Sequence, residues 1–198
     1  WIEKSKIMDK IIVPSEHSKN VYEQTTYDAQ NPETNEIIKD FRCTTPIDVI
    51  HYPVRDAKQQ KLKLDLEFDF NFLTVAQWGP RKNLDNLITW FVEEFIDIEA
   101  GLVIKASLTK NNNLDRLHCE RRVSDLLAKY PERKCKVYLL HGNMSDEEML
   151  GLYKHPKIKA IATTTHGEGF GLPLFEAAHS GLPVIAPDWS GHVDFLYK

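Results

Sequence analysis

Apolar and polar positions alternate most regularly from Phe70 onward. FLTVAQ (72–77) predicts a strand, and NLDNLITWFVEEF (83–95) places apolar residues at helical spacing. LVIKASL (102–108) predicts a second strand. A second helix over 112–130 carries Leu114, Leu117, Val123, Leu126 and Leu127 as its apolar positions. KVYLLHG (136–142) is a third strand, and the next segment has Ser145 and Glu148 in the spacing of a capping box. IKAIATTT (158–165) is a fourth strand, followed by a helix from about Pro173 to Ser180 and a fifth strand at LPVIAP (182–187). Strands alternating with helices predict an α/β fold whose Rossmann-like, doubly wound parallel sheet is covered on both faces. With strand order 3-2-1-4-5-6, strands one and four are neighbours at the switch point. The loops Gln77–Asn83 and His166–Leu172 are then expected to line one crevice.

Before Phe70 the pattern is weaker. Ile11–Val13 is a short strand, Pro14 ends it, and Ser15 is placed to cap a helix. NPETN (31–35) is a polar break, IDVIHYPV (47–54) another strand, and DAKQQKLKLDLE (56–67) a charged linker or edge. The expected division is a first segment over 1–50, a linker over 51–69 and the main α/β domain over 70–198.

Composition narrows the functional classes. Of 198 residues, 42% are hydrophobic and 27% charged, a globular balance. The net charge of −4 comes without a long basic run, which argues against nucleic acid as a partner. Cys43, Cys119 and Cys135 show no CxxC spacing and suit reduced thiols in a reducing, cytoplasmic compartment. No apolar run approaches the roughly 18 residues of a membrane span. The chain opens at Trp1 without an initiator Met and is expected to be cut from something longer.

The chemistry concentrates in THGEGFGLP (165–173). Gly167, Gly169 and Gly171 let a backbone approach a phosphate or a hydroxyl-rich ligand, with a helix N-terminus behind them. The bland alternative is a tight turn that needs glycine only for its dihedrals. The spacing is not that of the dinucleotide fingerprint. Glu168 lies among these glycines, and Glu176 falls in the expected first turn of the next helix. A carboxylate there either complements the helix dipole or accepts both hydroxyls of a vicinal diol. Arg81 and Lys82 open a helix at the switch point, where a cation opposes the dipole unless an anion is bound; otherwise they are a solvated pair. Together these residues suit a nucleotide sugar, which carries phosphates, a ribose diol and a sugar. Asp65, Glu67 and Asp69 could mimic a metal-binding DxD but fit the polar face of an extended segment better. The eight histidines lack metal-ligand spacing, and no motif suggests a covalent nucleophile.

GEGFGLPLFEAAHSGLPVIAPDWSG, with Glu168 and Glu176 separated by seven residues, resembles the signature of retaining glycosyltransferases of the GT-B fold, family 4 type. FLTVAQWGPRKNLDNLI, LLHGNMSDEEMLGLYK and VPSEHSKNVY are similar to further segments of that family, in the same order. The resemblance implies an incomplete donor-binding domain preceded by a remnant of the acceptor domain. It implies that Lys82 binds the donor diphosphate, helped by Arg81 because Gln77 stands where many relatives have arginine. Glu176 would bind the ribose diol and Glu168 the transferred sugar. Backbone amides of Gly169, Phe170, Gly171 and Leu172 would approach sugar and phosphates, and the turn from Gly142 to Met144 would border the base. No metal or other cofactor is expected. The implied partners are a nucleoside-diphosphate sugar and a carbohydrate or other hydroxyl acceptor. The isolated fragment is expected to be inactive and to self-associate through truncated surfaces, and the full-length enzyme to reach a membrane surface only peripherally. A non-catalytic nucleotide-sugar-binding module is the alternative, and a dinucleotide-dependent oxidoreductase a weaker one.

Overall fold

The computed structural model describes residues 1–31, 33–55 and 57–196, which divide into two units. One comprises Trp1–Pro53, Glu168–Gly171 and the described residues of Trp189–Lys198; the other comprises Val54–Gly167 and Leu172–Asp188.

The second unit is built on five parallel strands: β5 (Asn71–Gln77), β6 (Gly101–Ser107), β7 (Lys136–Leu140), β8 (Ile158–Ala162) and β9 (Val184–Ile185). Their order, β7-β6-β5-β8-β9, is the expected 3-2-1-4-5, with β5 and β8 paired at the switch point. Four helices connect them: α3 (Leu84–Glu94), α4 (Asn113–Leu127), α5 (Asp146–Tyr153) and α6 (Leu172–His179). In α3, Leu84, Leu87, Ile88, Phe91 and Val92 recur at helical spacing and are all buried, so one face packs on the sheet. Ser145 and Glu148 close the expected capping box at the start of α5.

Three expectations are corrected here. The second helix ends at Leu127 rather than at residue 130, and the strand expected over 182–187 narrows to Val184–Ile185. In α4 the buried stripe is Asp115, Cys119 and Val123, while Leu114 and Leu117 are exposed. Burying a carboxylate there is tolerated because backbone N–H groups satisfy it. Residues 57–70 form no helix or strand, yet they are packed. The Gln60 N–H donates to the Glu147 carbonyl at 3.1 Å, and Leu66 is buried. Glu67 and Asp69 pair with Lys136 and Lys157.

The first unit begins with α1 (Ile2–Ser5), β1 (Ile11–Val13) and α2 (Glu16–Gln24). Ser15 caps α2 as expected, accepting from the Ser18 N–H at 3.1 Å. An antiparallel pair, β2 (Thr26–Gln30) and β3 (Ile37–Arg42), brackets the polar break. β4 (Ile47–Val49) pairs in parallel with β1 and is shorter than the strand expected over 47–54. Among the described residues no helix is long and apolar enough to cross a membrane.

Candidate functional site

In an open parallel sheet, ligands bind outside the carboxyl ends of the strands. At that edge of the second unit lies a cavity of about 410 Å³. Its walls are the ends of β5 (Val75–Gln77) and β6 (Lys105–Ser107), with Lys82, Asn143, Met144, Met149 and Pro173. Among the described residues its lining holds two lysines and no carboxylate, so its field favours an anion.

Lys82 reaches this wall from the loop after β5. Pro80–Lys82 form a single 3-10 turn, and Asn83 follows with φ 56° before α3 begins. Arg81 and Lys82 therefore precede the helix rather than open it, because the left-handed Asn83 interrupts the chain between them. The loop is tied to the segment after β8. The His166 N–H donates to the Arg81 carbonyl at 2.8 Å, and Thr164 Oγ1 donates to the Asn83 carbonyl at 3.1 Å. The Arg81 guanidinium donates to the Gly167 carbonyl. These bonds hold the loop after β5 against residues 164–167, but of the two loops expected to line one crevice only Gln77–Asn83 contributes to the cavity wall. They also direct one Arg81 N–H to protein backbone.

On the opposite wall the chain turns at Gly142, whose φ of +117° suits glycine. The Gly142 carbonyl accepts from Lys105 Nζ at 2.5 Å, and Asn143 and Met144 then line the cavity. Leu172 begins α6, and Pro173 lines the cavity. Glu176 falls in the second turn of α6, not the first, because the helix starts a residue earlier than expected. A dipole interaction fades beyond the first turn, so that bland reading of Glu176 loses force. Glu176 lies off the cavity lining, where Tyr153 Oη donates to its Oε2 at 3.0 Å. Glu176 stays accessible as a residue, yet burial around its carboxyl end raises its pKa, against the lowering effect of the Tyr153 bond. Burial first, then the Glu176 charge and hydrogen bond, push the Tyr153 phenol well above the ordinary range, so it stays a donor.

Glu168, Gly169, Phe170 and Gly171 belong to the first unit. There Ser190 and Gly191 grip both backbone polar groups of Glu168. Its N–H donates to Ser190 Oγ at 2.8 Å, and its carbonyl accepts from the Gly191 N–H at 2.9 Å. Ser190 is buried and holds φ 79° and ψ −169°, a region nearly confined to glycine that costs another residue of order 1 kcal/mol or more. Gly191 has no room for a side chain, since a Cβ there would lie 2.1 Å from the Gly169 carbonyl oxygen. That carbonyl accepts from Ser15 Oγ at 2.6 Å, so the hydroxyl that caps α2 also holds the glycine loop. The Phe170 side chain is buried against His51, Tyr52 and Phe195. It anchors the loop, and only its backbone remains for a ligand. Gly171 has φ +93°.

Comparison with known proteins decides the family. The model described as glycosyl transferases group 1 matches residues 54–196, most of the chain. The chain belongs to that family. Two sequences of the serotype-specific mannosyltransferase WbdA of Escherichia coli are 36% and 42% identical to this chain, over 121 and 119 residues. Each alignment covers 60% of this chain, which spans 13% of the length of those relatives. Among solved structures, apo OtsA matches with a TM-score of 0.62 at 12% identity, covering 98% of this chain and 48% of that one. S. aureus TarM, in a complex with fondaparinux, alpha-GlcNAc-glycerol and UDP, matches with a TM-score of 0.60 at 18% identity, covering 100% and 34%. At these identities the structures show the fold, a Rossmann-like α/β domain of the GT-B type.

One cluster in this glycosyltransferase domain escaped sequence spacing. Ligand atoms of Asp115, Cys119 and His141 lie within 4.8 Å of one another. Hydrogen bonding accounts for the arrangement. Asp115 accepts from the N–H groups of Leu108, Thr109 and Lys110 at 2.7 to 2.8 Å and bonds His141 Nε2 at 2.8 Å. Burial raises the Asp115 pKa, but the backbone donors, helped by His141, outweigh it and hold the carboxyl well below the usual range. Burial pushes the Cys119 thiol up to about 11, so it stays protonated. The cluster pins the loop after β6 to the end of β7. Lys105, within the mostly apolar strand β6, is the other residue passed over.

Proposed function

We propose that this domain binds the nucleoside-diphosphate sugar of a glycosyltransferase that moves a hexose to an acceptor hydroxyl, with retention of anomeric configuration. The observation that carries the reading is the cavity outside β5–β7, lined among the described residues by Lys82 and Lys105 and by no carboxylate. Family membership supports a nucleoside diphosphate as that anion, and the name of the WbdA relatives supports a hexose as the transferred sugar. Lys82 neutralises charge that builds on the diphosphate as it leaves. Glu176, oriented by Tyr153, accepts the ribose hydroxyls, and Glu168 contacts the sugar. Arg81 assists at the diphosphate as a second cation beside Lys82. The backbone of Gly169–Leu172 approaches sugar and phosphates, and the Gly142–Met144 turn borders the base. Donor binding on this reading needs no metal.

Preorganised donors of this kind contribute about 10²–10³-fold to turnover when one is removed. Lys82→Ala in the complete enzyme should lower kcat by that order, and Glu176→Ala should cost most of the transfer. Steady-state kinetics on a panel of nucleoside-diphosphate sugars measures both. Near-normal kcat in Lys82→Ala would overturn the assignment.

A further inference from the structure

The cavity contains a second cation for which the proposed function gives no role. Lys105 stands on β6 in register with Val75 of β5 and Leu140 of β7. β6 is buried at five of its seven positions, including Leu102, Val103, Ile104 and Ala106 around this lysine. An ammonium in such a strand is costly unless something holds it. Burial lowers its pKa, which records that cost. One N–H is met by the Gly142 carbonyl at 2.5 Å, and a lysine ammonium has three. The contact also places the charge. Lys105 is seated against the turn that follows β7, whose Asn143 and Met144 face the cavity, whereas Lys82 enters from the loop after β5. The two cations thus reach the cavity from different elements.

We propose that Lys105 is a specificity residue for the donor nucleotide: fixed on the Gly142 carbonyl, its ammonium donates to the acceptor edge of the nucleobase. The proposal rests on the cavity being the nucleoside-diphosphate site. Guanine presents O6 and N7 and uracil presents carbonyl oxygens, both suited to an ammonium. Adenine presents an amino donor where guanine has O6. Lys105 therefore favours guanine or uracil over adenine, and it holds the turn against which the base lies.

The test is calorimetric titration of the protein with GDP, UDP, ADP and inorganic pyrophosphate, alongside Lys105→Met and Lys82→Ala. Methionine keeps the apolar stem and removes the charge. The unaltered protein should bind GDP or UDP about tenfold more tightly than ADP, and Lys105→Met should abolish that preference while barely changing ADP or pyrophosphate. Lys105→Leu, the substitute if the methionine variant does not fold, also lacks a donor and carries the same expectation. Equal weakening of all four ligands would make Lys105 a diphosphate contact and overturn base selection, as would unchanged affinities. The underlying reading fails separately: nucleotide and pyrophosphate affinities that Lys82→Ala leaves intact would remove the diphosphate assignment, whatever Lys105 does.

Discussion

Tyr153→Phe isolates one hydroxyl in the proposed donor site. Tyr153 is 3% exposed, and its Oη donates to Glu176 Oε2 at 3.0 Å. Phenylalanine fills the same space, so packing is preserved and only the donor is lost. A hydrogen bond to a charged group contributes ~1.5–3 kcal/mol, and the accessibility of Glu176 places this one at the low end. At ~1.4 kcal/mol per decade, donor affinity should fall about tenfold, through a carboxylate no longer aimed at the ribose. A pH signature accompanies the loss. Burial already raises the Glu176 pKa and the Tyr153 bond opposes that rise, so the variant's carboxyl should titrate higher still. Binding that needs the ionised carboxylate is present above its pKa and lost as pH falls through it; the acid limb should therefore move to higher pH. Fold stability shows the opposite sense, because a carboxyl with a raised folded pKa favours the folded state when protonated and loses that contribution as pH rises. The assay is the donor dissociation constant from acid to neutral pH for both proteins. Equal affinities with superimposable limbs would refute the role given to this pair.

Two further predictions concern the framework. Gly191→Ala forces a Cβ against the Gly169 carbonyl, and such overpacking costs ~1–3 kcal/mol. A thermal melt should drop by several degrees, and because the same residue grips the Glu168 carbonyl, kcat should fall as well. Asp115→Asn removes a carboxylate whose folded pKa is depressed. Its stabilising contribution is present above the ordinary carboxylate value and lost as pH falls toward the depressed one. Denaturant midpoints should show the variant less stable near neutrality and nearly equal to the parent in strong acid; a constant gap across that range would contradict the backbone clamp.

The order of the parallel sheet was legible because its strands are short apolar runs separated by helical periodicity. Those two signals give alternating strands and helices, and the doubly wound order expected for them then places β5 beside β8. Strand pairing in Thr26–Arg42 left a weaker trace, since β2 and β3 are mostly exposed, TYDAQ alternates over five residues only and IIKDFR does not alternate. Counting leucines misjudged α4, where Leu114 and Leu117 face solvent and Asp115 is buried. The reason is tertiary: three N–H groups from residues 108–110 and His141, far along the chain, make a carboxylate acceptable there. Within the candidate site, Lys82, Met144 and Glu176 were legible as residue types in a family pattern. The partners that aim them, Tyr153 for Glu176 and Lys105 for the Gly142 turn, depend on contacts no spacing rule contains. The same holds for Ser190 and Gly191, whose importance lies in what they do to the backbone of Glu168.

The most direct measurement of the central claim is the position of a bound nucleoside diphosphate in a crystal structure of the protein. The account predicts phosphate oxygens within hydrogen-bond reach of Lys82 Nζ, with the base against the turn from Gly142 to Met144. A nucleotide bound elsewhere, or one in this cavity with its phosphates turned away from Lys82, would contradict it.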